Sequence, residues 1–281
     1  VCVPYRQEEV SPGHTLIELR GDRVKRVDLE RLSPEITTDL ARSMLGLDKL
    51  PPLLVERLQH TTGGNALFVQ ELIRSLAAEG EVLQRTAGGW RVDQAALQRA
   101  RLPKSIRQVV ERRLEQLSLQ TRRVLECAAA MGSVFWPGGV AEVRKEPGAG
   151  VRAALQEALS QRLVAVRDES TFADEREYLF SNPTLREVVY GNIPQQELQR
   201  YHAQIAAWLI AHSEEEVAEH LGLIADHLES AREEERAASY LRRAGEQAAS
   251  RFANAEAIDC FSRALELISE ENLAGRYALL L

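Results

Sequence analysis

The chain has 281 residues and a net charge of -7, with 44% hydrophobic, 27% charged and only 5% aromatic residues. That balance belongs to a globular chain of two or three packing units, and its wealth of Ala, Leu, Glu and Arg favours helices. It holds no run of about 18 apolar residues to cross a membrane, and no segment basic enough to announce nucleic acid by charge alone.

The acidic excess is uneven: residues 196–281 carry 8 Lys and Arg against 16 Asp and Glu. The three cysteines, Cys2, Cys127 and Cys260, show no pairing by spacing, which points to a reduced, cytoplasmic setting. The chain opens on VCVPYRQEE, without an initiator Met or a signal peptide, so a piece of a longer protein is expected.

In chain order, Val1–Tyr5 reads as a short buried strand, and Arg26–Leu29 as a second strand ending near Leu32. Ser33-Pro34 then starts a helix, with Ser as cap and Pro at the first helical position. Ile36, Leu40, Met44 and Leu45 form its apolar face, and it runs to about Gly46. A short helix covers Leu53–His60. TTGGNALFVQELIRSLAAEG supplies a third, striped by Phe68, Val69, Leu72, Ile73 and Leu76 and stopped by Gly80. VLQRTAGGWRVD reads as a hairpin around Ala-Gly-Gly. Residues 34–102 thus make a small helical domain.

A further unit begins at Leu102-Pro103. Its first helix carries Ile106, Val109, Val110, Leu114 and Leu117, and its second carries Val124, Leu125, Ala128 and Ala129. MGSVFWPGG breaks the pattern. A third helix over about Gly150–Arg162 aligns Val151, Leu155 and Leu159, then LVAV and YLF flank a polar turn. Three helices followed by a hairpin is the winged-helix order. Residues 196–281 read as helix after helix, with small residues at the crossings, like paired tetratricopeptide helices. The fold expected is mainly α.

The succession VCVPYRQEE, VDLERLSPE, GGNALFVQELIRSL, LPKSIRQVVERRLEQLS, FSNPTLREVVY and YLRRAGEQAASRFANAEAIDCFSRALEL resembles the second half of the STAND-type signalling ATPases of the AAA superfamily. These modules occur in large bacterial regulators joined to nucleotide cyclase, kinase or LuxR-type DNA-binding domains. The resemblance covers nearly the whole chain. It implies the edge of an α/β ATPase core over 1–33, a helical lid over 34–102, a winged-helix domain over 103–195 and tetratricopeptide-like repeats over 196–281. The sequence contains no G-x-x-x-x-G-K-[ST] loop, so this chain alone is not expected to hydrolyse ATP or to bind nucleotide tightly. ATP or ADP with magnesium is the cofactor implied for a full-length parent.

Within that resemblance Gly63, Gly64, Asn65 and Ala66 take the place of a Gly-Asn-Pro turn beside the nucleotide base and sugar, with Ala66 where the family has Pro. Backbone amides at a helix start favour such a ligand. The same residues also read as a plain turn with Asn65 capping the helix. Arg6 corresponds to a sensor that reaches the terminal phosphate, as suits a permanently charged fork, or else is a solvated surface arginine. Asn182 stands where many relatives carry a switch histidine, and reads more simply as part of an Asn-Pro turn. The six histidines lack metal-ligand spacing, no metal is expected, and Trp90, Trp136 and Trp208 read as packing anchors.

The function expected is the regulatory part of an ATP-dependent signalling switch. Its lid and core would clamp a nucleotide seated upstream, and its helical tail would sense a protein or small-molecule effector. The alternatives are a DNA-binding winged-helix regulator and a tetratricopeptide-like protein-binding scaffold. For DNA, Arg152, Gln156, Gln161 and Arg162 would face the duplex, but Glu157 sits among them.

Overall fold

The computed structural model describes residues 25, 27–168, 170, 172, 175–212, 217–268 and 276, and for 217–219 the backbone alone. The expected strand at Val1–Tyr5 and the candidate sensor Arg6 lie outside them. The fold is mainly α.

Residues 27–33 form no strand. Val27 and Leu29 are exposed, at 66% and 94%, so their apolar alternation has no sheet to enter. The first helix, α1 (Pro34–Leu45), starts as expected: Ser33 accepts from the Ile36 amide, Pro34 fills the first turn, and Gly46 ends it at φ 61°. Its buried face is Thr37, Ala41 and Leu45, while Ile36 stays 53% exposed. Thr37 turns inward because its hydroxyl donates to Gln59 Oε1 at 2.7 Å, on α2 (Pro52–Thr62). α3 (Ala66–Glu79) buries all five stripe residues, each worth roughly 1.5–3 kcal/mol.

β1 (Leu83–Thr86) and β2 (Gly89–Val92) pair antiparallel from Leu83↔Val92 to Thr86↔Gly89. A helix the hydrophobic pattern missed, α4 (Gln94–Arg99), follows, started by Asp93 accepting from the Ala96 amide. At six residues it is too short to show a period. These elements close one core around Ala41, Leu58, Leu72, Ile73 and Leu97.

α5 (Ile106–Glu115) and α6 (Leu119–Met131) come next. MGSVFWPGG then yields a strand, β3 (Val134–Phe135), and a helix, α7 (Pro137–Arg144), where only a break was expected. Two glycines hide that helix in the sequence. Gly139 is needed for close approach, since a Cβ on it would lie 3.1 Å from the Trp208 ring, whereas one at Gly138 would meet only the movable Glu175 carboxylate. α8 (Gly148–Ser160), β4 (Val164–Val166) and β5 (Tyr178–Phe180) complete the unit, with sheet order β3-β5-β4, both pairings antiparallel. The order is therefore helix, strand, helix, helix, strand, strand from α6 onward, with α5 standing before it. The expected three helices and a hairpin left out α7 and β3.

α9 (Pro183–Gly191), α10 (Gln195–His212) and α11 (Val217–Ser230) pack onto the same large core, which includes Phe135, Leu155, Leu185, Ile205 and Leu228. α12 (Glu234–Ser250) and α13 (Asn254–Leu267) extend the stack on a small core of Ala225, Ala238, Leu241 and Ala264. Small residues bring these two helices together, and Gly245 admits the Phe261 ring, which a Cβ would meet at 2.7 Å.

Candidate functional site

The turn from α2 into α3 is built by two left-handed glycines, Gly63 at φ 55° and Gly64 at φ 74°. What comes close to them is the chain's own backbone. The Leu32 amide donates to the Gly64 carbonyl at 2.8 Å, and a Cβ at Gly64 would stand 2.3 Å from the Leu32 carbonyl oxygen. Gln59 Nε2 donates to that same Leu32 oxygen at 3.2 Å, and Arg31 Nη1 donates to the Gly63 carbonyl at 3.3 Å. Residues 31–32, arriving from the N-terminal segment, are thus clasped to the start of α3.

Asn65 caps α3, its Oδ1 accepting from the Phe68 amide at 3.0 Å. Asn65, Ala66 and Gly63 are exposed and Gly64 is buried. The first turn of α3 contains no acidic side chain, so nothing of that helix neutralises its positive end. One face of the turn is therefore filled by Leu32, and the other presents a helix start to solvent. The chemistry of that open face suits a polar or anionic group.

Gly63, Gly64, Asn65 and Ala66 form one contiguous turn. Asn182 lies on the second core, between β5 and α9. It is 8% exposed and its Oδ1 accepts from the Leu185 amide at 2.8 Å, which makes it the cap of α9. Trp136 and Trp208 are buried and stacked with centroids 5.7 Å apart. The Cys127 thiol is buried too, and burial pushes it up to about 12, so it stays protonated at neutral pH.

Two polar clusters carried no readable signature. The first is an ion network between cores. Glu71 on α3 is ion-paired with Arg113 on α5, and Arg74 joins it at 2.5 Å. The Arg113 guanidinium also donates to the Gln161 carbonyl at the end of α8. Burial, and then the nearby Arg74 charge, hold Arg113 below the ordinary arginine value, against the pull of Glu71. Glu71 sits among stripe residues of α3, and a charge inside such a stripe is the only hint the sequence offers.

The second cluster is a chain of rings. Tyr190 Oη lies 3.0 Å from His202 Nε2, and His202 Nδ1 lies 2.7 Å from His227 Nδ1. The tautomers of the two rings decide which partner donates in each contact, and His227 Nε2 is buried with no hydrogen-bond partner among the described residues. Burial is the main force holding His202 down at about 4 and His227 at about 3, and the Arg186 charge adds to it. Both rings are neutral at pH 7. Twenty-five residues separate them in sequence, so no local spacing revealed the pair.

No helix among the described residues is long and apolar enough to cross a membrane, and no group of three or more metal-ligating side chains occurs among them. The fold defines a mainly α chain that ends in stacked helical pairs. No protein-family model matches it, and no curated protein does. Among solved structures, it is similar to a signal transduction ATPase with numerous domains (STAND) bearing a tetratricopeptide repeat sensor, from Pyrococcus horikoshii, at 14% identity and a TM-score of 0.46. The match covers 93% of this chain and 39% of that one, so the chain spans well under half of that protein's length.

Proposed function

We propose that this chain is the regulatory part of an ATP-dependent signalling switch of STAND type. In this reading residues 1–33 are the edge of an ATPase core, 34–102 a lid, 103–195 a winged-helix domain and 196–281 a sensing array of tetratricopeptide-like repeats. The observation that carries the reading is the Leu32–Gly64 clasp. It ties Leu32 to the glycine turn, so a movement of the segment just before α1 has a backbone route into α3. The helix-strand-helix-helix-strand-strand order with sheet order β3-β5-β4 supports a winged helix, beginning at α6.

A nucleotide bound in the full-length protein supplies phosphate charge, a sugar and a base. On this chain Arg6 would pair with phosphate, and the turn of Gly63, Gly64, Asn65 and Ala66, exposed except at Gly64, would receive the sugar or base. The tail would take a protein partner or small effector on its stacked helices. DNA binding is less well supported. Glu157, in the candidate reading helix, accepts from the Ser118 amide at 3.0 Å and from the Ser118 hydroxyl at 2.8 Å, so the helix uses a carboxylate in capping α6 and adds no positive charge there for phosphates.

The test uses the full-length protein and an ATP analogue. Asn65→Asp retains a cap for α3 but adds a negative charge at the open helix start. It is expected to leave the melting temperature within a few degrees and to weaken analogue affinity about tenfold or more, a difference of roughly 1.4 kcal/mol. Arg6→Ala should weaken it likewise. Unchanged affinity in both variants removes these residues from nucleotide binding.

A further inference from the structure

α5 is buried on two sides. Val109 belongs to the core of α1–α4, while the next residue, Val110, belongs to the larger core with Leu114. Arg113 lies one turn beyond Val109 and points the same way, toward α3. There it meets Glu71; the two side chains are 5% and 1% exposed. The guanidinium also holds the Gln161 carbonyl, the residue that ends α8.

From Gln161 the path continues into the sheet. Arg162 turns left-handed at φ 54°, and its carbonyl accepts from the Ser181 hydroxyl at 2.7 Å. The Leu163 amide donates to Ala158 at 2.9 Å, and the Ser181 amide donates to Leu163 at 3.0 Å, just past β5. One guanidinium therefore joins a helix of the first core to the hairpin of the second.

A buried ion pair is a poor source of net stability, because desolvation offsets most of the attraction. It is a strict registry device, since one ion without the other is strongly disfavoured. Here the balance is tight: Glu71 answers two arginines, and Arg113 already feels the repulsion of Arg74. Removing either partner leaves the other as an uncompensated buried charge, so the position of α3 and the position of Arg113 are tied together.

We propose that Glu71 and Arg113 form a coupling pin that transmits the position of α3, through the Arg113 guanidinium, to the end of α8 and on to the β4–β5 hairpin. The pin acts whatever occupies the glycine turn, so its failure and the failure of the nucleotide reading are separate results.

Amide hydrogen exchange on the 281-residue chain tests it. Glu71→Gln leaves two arginines facing a neutral amide and should drive Arg113 away from its post. Exchange at the Leu163 and Ser181 amides is expected to rise at least tenfold, while α12 keeps its wild-type rate. Arg113→Met should raise the same two amides. The double variant Glu71→Leu with Arg113→Met removes both charges, so it should fold even where Glu71→Gln does not, and should still exchange fast at Leu163 and Ser181. Wild-type rates at those amides in the folded double variant overturn the proposal. So does a uniform rise across all helices in Glu71→Gln, which would mark a general loss of stability and nothing more.

Discussion

A methyl group at position 64 has nowhere to go. It would sit 2.3 Å from the Leu32 carbonyl oxygen, on a backbone already at φ 74°. Gly64→Ala should therefore lower unfolding stability by about 1–3 kcal/mol, read by urea denaturation. Gly63→Ala meets only the Arg31 guanidinium at 3.4 Å, so it carries the left-handed strain without the backbone clash and should cost less. The ranking separates the two glycines, which the sequence presents as equals. Composition and spacing say that a Gly-Gly-Asn turn starts a helix, and Asn65 is its cap. They do not say which glycine is pressed by a segment about thirty residues earlier, because that contact depends on how α1 folds back on α3.

Most of the helices are legible one at a time. Ser33, Asn65, Asp93, Ser105, Ser118 and Asn182 each accept from an amide three residues on, the local geometry that such side chains favour. The elements missed were α4 and β3, at six and two residues too short to show a period, and α7, an eight-residue helix hidden by Gly138 and Gly139. How neighbouring elements meet is a different matter, and the histidine pair between α10 and α11 is the clearest case. In the unfolded chain His202 and His227 take protons near pH 6.5, and in the folded chain only near 4 and 3. Between those limits the unfolded chain binds more protons, so acid favours unfolding. The stability tied to these rings is complete above about pH 6.5 and declines as the pH drops toward 4 and then 3. Urea midpoints measured from pH 7 to pH 4 should fall, and His227→Phe should flatten that slope even if it shifts the midpoint itself. A slope unchanged by the substitution would assign the acid sensitivity to other groups.

Across the whole molecule, stability is unevenly shared. The large core gathers side chains from α5 to α12, while the small core shared by α11, α12 and α13 rests on Ala225, Ala238, Leu241 and Ala264. α12 and α13 should therefore open in a partial unfolding step of lower free energy than the global one. Leu241→Ala, at a fully buried site, should cost about 2–5 kcal/mol. Hydrogen exchange should show that loss in α12 and α13, with the amides of α6 unchanged. Equal losses in both regions would mean that the stack unfolds as one unit. The sequence by itself determined the mainly α class, most helix starts and stops, and the two hairpins, because caps, glycines and hydrophobic periods act within a few residues. Only the tertiary structure decided that Thr37 and not Ile36 faces inward, that Gly64 makes room for Leu32, and that Glu71 meets Arg113 and His202 meets His227. Those outcomes depend on burial and on pairing of polar groups far apart in the chain, and both are set by how helices pack, which no local pattern encodes.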